Sequence, residues 1–363
     1  MTTVEHEPER ARTSRITAVT EAFGELDFWK RVGLSLFAYV IGLGLFSALL
    51  GSQKADPLSV FNSIIHSAVL SDGALPAVVL RAVPITLAAL AVSVPARAGL
   101  VNVGGEGQLI VGAVAATGVG VDLGNSVPGV VGWILMAAAG IAAGAFWGGI
   151  AGLLRVVANA NEAVTTLLLN FIANDVMLYL LYQPWKDPTG GGQPESRPLT
   201  SHEVLPHLFG SSINLGVIVA LVVALGVWVL LARSGWGFAL RVVGGNQVAA
   251  RRSGLPVHRL MISSMAVGGG LAGLGGMLYL AGTQLQLLPG GTATYGYVAF
   301  LAAFLGRHDP VKVVIAAVVF SAIAVSAPGL QLNYGLDGSV VDVLLALIVA
   351  APLARSIQRK SAY

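Results

Sequence analysis

The sequence predicts an all-α, polytopic membrane protein of about ten transmembrane helices. Both termini are expected in the cytoplasm, and the count leaves room for two pseudo-repeats of about five helices. Three observations carry this. Hydrophobic residues make up 55% of the 363 residues and charged residues only 11%, whereas soluble domains carry about 25% charged residues. Apolar runs near the 20 residues that a spanning helix needs recur along the chain. Lys and Arg gather almost entirely on one side of those runs. The 46 glycines agree, because glycine is commoner in membrane helices than in soluble ones.

Taken in order, residues 1–32 form a polar, mixed-charge cytoplasmic tail, with an interfacial helix expected near 17–28. No short basic region feeds an apolar core there, so no removable signal peptide is expected. The membrane domain runs 33–354, with spans at 33–51, 75–95, 99–120, 128–153, 161–183, 213–232, 260–282, 292–306, 311–328 and 338–354. The eighth is short enough to be re-entrant. Residues 58–70 are apolar over too short a run to cross and read as an outer interfacial or half-inserted helix. The external loop 184–212 is kept irregular by Pro184, Pro188, Pro194, Pro198 and its glycines, and serves either as a partner platform or as a solvated connector. Residues 233–259 form the largest cytoplasmic loop, and 355–363 a cytoplasmic tail.

With the N-terminus inside, 17 of the 21 Lys and Arg fall on the cytoplasmic side. Only Lys54, Lys186 and Arg197 fall outside, and Arg81 lies within the second span. Cytoplasmic loops carry the excess of cations, so this assignment fixes the orientation. It also supports the span count, since one helix more or fewer would scatter the cations to both sides.

The polar residues inside the spans are the site candidates, because an ionisable group at mid-membrane costs about 2.5–3.5 kcal/mol on insertion scales. Arg97 to Gly112 places Asn102, Glu106 and Gln108 among five glycines. On a continuous helix Asn102 and Glu106 share a face and Gln108 does not. Two readings stand: a discontinuous helix beside a binding site, or a tight interior crossing with Glu106 bonded to a neighbour. On the fifth span, Glu162 sits in the first turn, where the dipole favours an anion. Thr166, Asn170 and Asn174 follow at four-residue spacing as one polar stripe, which bonds a neighbouring helix or lines a wet path. Asp175 lies about 100° off that stripe. Tyr297, in Tyr295-Gly-Tyr297, offers a ring for stacking or packs in the core. In the 233–259 loop, Asn246 is placed to cap a short helix bearing Ala249 and Ala250, with Gly254 and Pro256 stopping it. Arg241, Arg251 and Arg252 surround it.

Several classes are excluded. There is no cysteine, and no metal-ligand spacing or nucleophile–base arrangement occurs, so no catalytic residue and no metal site is assigned. The cations sit at span ends rather than in a stripe, which removes a nucleic-acid partner. Gly268-Gly269-Gly270-Leu-Ala-Gly273 matches G-x-G-x-x-G in letters only. It lies inside an apolar helix with no preceding strand, and reads as close helix packing, as do Gly140, Gly144, Gly148 and Gly152. No phosphate-binding G-x-x-x-x-G-K-[ST] loop is present, so the chain is expected to bind no cofactor itself.

Three segments together resemble a known family. Arg97-Ala-Gly-Leu-Val-Asn102-Val-Gly-Gly-Glu106-Gly-Gln108, Asn161-Glu162 through Asn170-Phe171-Ile-Ala, and the glycine-rich span closing on Leu305-Gly306-Arg307-His-Asp-Pro310 are similar to the permeases of ATP-binding-cassette importers for nucleosides and simple sugars. Gln247-Val-Ala-Ala-Arg-Arg-Ser-Gly254 stands where such permeases carry an acid-Ala-Ala triplet and a glycine, although no acid directly precedes the alanines here. The long tail and the Lys186-Asp-Pro-Thr-Gly loop resemble the longer permease of nucleoside importers. The resemblance implies a nucleoside path lined by Asn102, Glu106, Gln108, Thr166, Asn170, Asn174 and Tyr297. It implies a coupling helix at Arg241, Asn246, Ala249, Ala250 and Gly254 that docks on a cytoplasmic ATPase, which holds the ATP and magnesium. The implied partners are a second, shorter permease in a heterodimer, an extracytoplasmic substrate-binding lipoprotein, the small-molecule substrate and membrane lipid. The implied place is the bacterial cytoplasmic membrane, and the implied role non-catalytic. A sugar or branched-chain amino acid is the alternative cargo. A proton-coupled secondary transporter using Glu106 or Asp175 is the alternative class.

Overall fold

The computed structural model describes Gly33 and residues 36–189, 192–208, 210–292 and 294–360. The tail 1–32 and the interfacial helix expected near 17–28 lie outside the described residues. Fourteen helices are described: α1 Leu36–Ser52, α2 Pro57–Ile65, α3 Ala74–Ala96, α4 Gly105–Leu123, α5 Gly129–Val157, α6 Glu162–Tyr182, α7 Gly216–Arg233, α8 Gly235–Gly245, α9 Gln247–Arg252, α10 Val257–Tyr279, α11 Tyr295–Leu305, α12 Pro310–Ala324, α13 Ala327–Tyr334 and α14 Ser339–Lys360. Two isolated bridges, Lys186 with Ser196 and His207 with Asn214, are the β pairing among the described residues. The fold is therefore helical, as the sequence predicts.

The helices start where their capping chemistry places them. Asn161 Oδ1 accepts from the amides of Ala163 and Val164 at 3.0 and 3.2 Å and opens α6. Asp309 caps α12 with Pro310 in the first turn, where the missing N–H is no loss. Asn246 opens α9 by accepting from Val248 and Ala249 at 2.9 and 3.0 Å.

Among the described residues, six helices are long and apolar enough to cross a membrane: Ala74–Ala96, Gly129–Val157, Glu162–Tyr182, Gly216–Arg233, Val257–Gln284 and Pro310–Tyr334. The remaining expected spans are helical over different or shorter runs. The 33–51 span is the 17 residues of α1. The 99–120 span is helical only from Gly105. The 292–306 span is the 11 residues of α11, about 16 Å of helix and half a hydrocarbon core. α14 continues to Lys360, past the expected end at 354.

The chain divides into two compact units, residues 1–57 with 346–363, and residues 58–345. In the first, Gly42 lies against the backbone of Leu347. The second holds all the sequence-predicted site residues. Its centre is α3 and α10, whose apolar windows are 78% and 72% buried, while α5, α6 and α7 bury 22–28% of theirs. These outer helices turn Ile134, Phe146, Phe171, Leu221 and Val222 outward, the inverse of a water-facing surface.

α5 and α10 pack through their glycines. A methyl group on Gly144 would overlap the Gly269 carbonyl oxygen, and one on Gly273 the Gly140 carbonyl oxygen. On Gly148 it would lie 2.5 Å from the Met265 carbonyl oxygen. Backbone meets backbone, so dispersion replaces the hydrophobic drive that is missing between helices in lipid. Both glycine runs expected to pack thus pack on each other.

A broken helix pair at mid-depth

The chain leaves α3 at Ala96 and turns at Arg97 to Gly99, where Gly99 takes φ 77°. It then climbs back along α3 without helical structure. Asn102 Nδ2 reaches the Ala91 carbonyl oxygen at 3.1 Å. Gly105, the first residue of α4, lies beside Ala88, about 12 Å in from the end of α3. Residues 100–103 thus run as non-helical backbone between the turn and α4, with Leu100 and Asn102 buried in the bundle. Such backbone is tolerated at membrane depth only where protein satisfies its polar groups.

α6 does that. Val101 N donates to Glu162 Oε1 at 3.3 Å, Val103 N to Thr166 Oγ1 at 3.1 Å, and Gly107 N to Asn170 Oδ1 at 2.8 Å. Asn170 Nδ2 returns a bond to the Val103 carbonyl oxygen at 3.0 Å. From Val101 to Val103 the periods match, since four residues of helix rise about 6.0 Å and two residues of extended chain about 6.6 Å; the third amide, Gly107 N, already lies in the first turn of α4. The stripe on α6 therefore reads the broken segment much as a neighbouring strand would. Glu162 also pairs with Arg155 Nε at 3.4 Å, which anchors the lower end of the ladder. Asn102 completes it from within. Its Oδ1 accepts from Gly104 N at 3.0 Å, and its amide pairs head-to-tail with that of Gln108 at 3.0 and 3.1 Å.

Glu106 points elsewhere. It is 5% exposed, and its Oε2 accepts from Gly296 N at 2.6 Å, at the start of α11. The Thr292 side chain also bonds it. α11 arrives from the opposite end of the bundle. α10 closes in a wider turn at Leu280–Gln284, the chain folds back from 285 to 292, and α11 begins beside Gly105. A methyl on Gly296 would overlap the Glu106 backbone nitrogen. Two half-helix N-termini, from α4 and α11, thus meet beside Ala88 of α3 with one carboxylate between them. Helix N-termini carry unpaired N–H groups and positive potential, and Glu106 answers both.

Each end of this arrangement is held by a turn. At one end the 184–212 loop is tied to 281–287. Leu199 N bonds the Leu285 carbonyl oxygen at 2.8 Å, Leu205 N that of Ala281 at 2.8 Å, and Leu287 N bonds Ser196 Oγ at 2.9 Å. At the other, Arg97 Nη2 bonds the His308 carbonyl oxygen at 2.9 Å.

A sequence profile of the family described as branched-chain amino acid transport system, permease component, matches residues 75–351. The chain belongs to that family. It is an importer permease of the ATP-binding-cassette type and a multi-pass membrane protein, so the secondary-transporter alternative is set aside. The permease is 33% identical over 332 residues to the glucose ABC transporter permease protein TsgB13 of Haloferax volcanii, covering 88% of this chain and 87% of the relative. It is 33% identical over 270 residues to the guanosine ABC transporter permease protein NupP of Bacillus subtilis, covering 73% and 77%. It is 27% identical over 331 residues to the nucleoside ABC transporter permease protein NupB of Lactococcus lactis, covering 88% and 90%. The same two bacteria supply paired relatives, NupQ at 28% and NupC at 24% identity.

The permease brings four of the seven expected path residues, Asn102, Gln108, Thr166 and Asn170, into one buried network around the 102–107 backbone, while Glu106 is buried beside it and bonds α11 instead. Their pairing differs from the sequence expectation: Asn102 pairs with Gln108, not with the face of Glu106, because residue 102 lies ahead of α4 in non-helical backbone, where the four-residue rule does not apply. Asn174 is half-buried and takes no part in the ladder. Tyr297 is 39% exposed. In the cytoplasmic-type loop, Ala249 is exposed but Ala250 is fully buried. The expectation that both face a partner is corrected: on a six-residue helix, successive residues point about 100° apart, and Ala250 takes the inner side. Arg241 Nη1 bonds the Leu231 carbonyl oxygen at the end of α7, which gives it a local anchoring role.

Arg81 was counted in the sequence and assigned nothing. Its guanidinium lies 5.1 Å from the Tyr295 ring centre, at the start of α11, and its Nε is buried without a partner. Tyr295 stands edge-on to Tyr279 at 5.0 Å. A lone arginine inside an apolar span was the available signal. A cavity of about 370 Å³ between α7 and α12, lined by Leu221, Leu225, Trp228, Val311 and Ile315, offers no polar group to a polyhydroxyl ligand.

Proposed function

We propose that this chain is the longer of two permeases in a nucleoside importer of the bacterial cytoplasmic membrane. A separate ATPase, holding ATP and magnesium, drives it from the cytoplasm, and an extracytoplasmic lipoprotein delivers the cargo. The observation that carries the path is the meeting of two half-helix N-termini, the arrangement that transporters use for substrate sites at the membrane midplane. Asn102, Glu106, Gln108, Thr166 and Asn170 hold the broken backbone in place. Tyr297 and Asn174 are the candidate groups at that level with surface left for cargo. An exposed tyrosine stacks readily on a base, and an asparagine serves ribose hydroxyls as donor and acceptor. The chain itself does no covalent chemistry.

Identity to NupP and NupB exceeds identity to their paired relatives NupQ and NupC, which supports a heterodimer with a shorter paralogue. The 17-cation bias supports about ten crossings and cytoplasmic termini. The exposed Val248 and Ala249 on α9, with Asn246 as cap and Gly254 as stop, form the ATPase-docking element in this reading. The similarity to TsgB13 over 88% of the chain supports sugar as the second reading. Uptake of labelled guanosine and labelled glucose by cells expressing the complete transporter separates them. Guanosine uptake, competed by other nucleosides and not by glucose, with Tyr297→Ala raising KM and Tyr297→Phe not, is the expected result. Glucose uptake alone would move the cargo to the second reading.

A further inference from the structure

Three pieces meet at the cation-rich end of the second unit: the Arg97–Gly99 turn that opens the broken segment, α8 with α9, and the Gly306–Asp309 turn that closes α11. Arg97 touches all of them. Its Nη2 bonds the His308 carbonyl oxygen at 2.9 Å, 211 residues away in sequence. Its own carbonyl oxygen lies under Gly244 of α8, where a methyl group would overlap it, and the Gly99 nitrogen would lie 3.1 Å from that methyl. In return, a methyl on Gly99 would lie 3.5 Å from Gly244 Cα. α8 therefore rests on the 97–99 backbone with no side chain between them to absorb a displacement, and close-packed interiors transmit strain.

Two outputs leave this junction. One is the non-helical segment 100–103, which leads into the N-terminus of α4. The other is the guanidinium, which holds the turn at the end of α11; the far end of that 11-residue helix carries Gly296 against Glu106. Both half-helix N-termini are thus connected to one residue. Burial and the neighbouring Arg97 both hold the His308 imidazole below its ordinary range, so Arg97 meets a carbonyl dipole and not a second cation. The His308 ring packs edge-on to Phe304 at 4.9 Å. Arg97 Nε and His308 Nδ1 are buried without hydrogen-bond partners, so among the described residues the hydrogen bond between the two turns is that of Nη2.

We propose that Arg97 is a positioning residue for transport, passing a displacement of α8 and α9 to both half-helix N-termini at once. This rests on the reading of α9 as the ATPase-docking element. A side chain serving only to stop α3 would need no bond to the α11–α12 turn.

The test uses proteoliposomes holding the permease with its second permease and ATPase, with guanosine and glucose as probes and ATP hydrolysis as a second readout. Arg97→Gln should lower uptake about tenfold while hydrolysis stays within about twofold, and Arg97→Lys, which keeps a cation in reach of the carbonyl, should restore much of the uptake. Gly244→Ala, which leaves the guanidinium but forces α8 off the Arg97 carbonyl, should uncouple in the same way. Unchanged uptake in Arg97→Gln, or uptake and hydrolysis falling in equal proportion, would overturn the proposal. Loss of assembly in both variants would make the contact a folding element and overturn it too. Cross-linking of Ala249→Cys to the ATPase keeps the two ideas apart. No cross-link sinks the docking assignment, whereas a cross-link together with normal transport in Arg97→Gln sinks the Arg97 inference alone.

Discussion

Asn170 replaces, with one side chain, two backbone hydrogen bonds lost where the chain is not helical. It accepts from Gly107 N and donates to the Val103 carbonyl oxygen, which an amide does by carrying acceptor and donor on separate atoms. Asn170→Leu leaves both backbone groups buried and unpaired, at about 1–3 kcal/mol each. Thermal unfolding in detergent should show a large loss for Asn170→Leu and little for Asn174→Leu, which is half-buried and outside the ladder. Equal midpoints for the two would mean that the ladder carries no stability. At this scale the sequence showed half of the answer. The stripe of Thr166 and Asn170 was legible from its spacing, and so was its choice between bonding a neighbour and lining a path. Its partner was not legible, because the groups it bonds are backbone atoms of residues 101–107, which no side-chain pattern announces.

The non-helical run ahead of α4 was legible as one of two readings, a discontinuous helix among the glycines of 99–112, but its extent was hidden for a related reason. Leu100, Val101 and Val103 keep the segment apolar, so hydropathy runs straight through it, and the glycines that weaken a helix there by about 1 kcal/mol each are common throughout this chain. The short α11 was legible as a candidate re-entrant element because its apolar run stops at 15 residues or fewer on any reading of 292–306. The glycine faces of α5 and α10 were legible outright, since a stripe of small residues has no other use in a lipid-facing helix. Two substitutions on α5 should separate packing from propensity. Gly149 has only Ala266 Cβ nearby, 3.8 Å from an added methyl, so Gly149→Ala should be neutral or gain up to about 1 kcal/mol from helix propensity. Gly144→Ala meets the Gly269 backbone instead, and should cost about 1–3 kcal/mol or more from overpacking. Thermal midpoints that moved together in the two variants would show that α5 and α10 are not in backbone contact.

For the molecule as a whole, the same asymmetry that orients the chain also assigns its two clamps. The 184–212 loop, with Lys186 and Arg197 as its cations, holds the entry to α11. The opposite end carries Arg97, Arg155, Arg233, Arg241, Arg251, Arg252, Arg259, Arg307 and Lys312, and holds the entry to α4. If cation excess marks the cytoplasm, the α4 half-helix is reached from inside and the α11 half-helix from outside, so each side of the membrane controls one of the two N-termini. The absence of cysteine makes this directly measurable. Ser196 is unsuitable as a reporter, since it is 1% exposed and its hydroxyl accepts from Leu287 N; Gln193 on the same loop is exposed, as is Ser253 after α9. In right-side-out vesicles, Gln193→Cys should react with a membrane-impermeant maleimide at once, and Ser253→Cys only after permeabilisation. The reverse pattern would place α8 and α9 outside, beyond reach of any cytoplasmic ATPase. The ATPase-docking assignment and the transmission through Arg97 would then fall together, while the Asn170 ladder and the glycine contacts, which do not depend on sidedness, would stand.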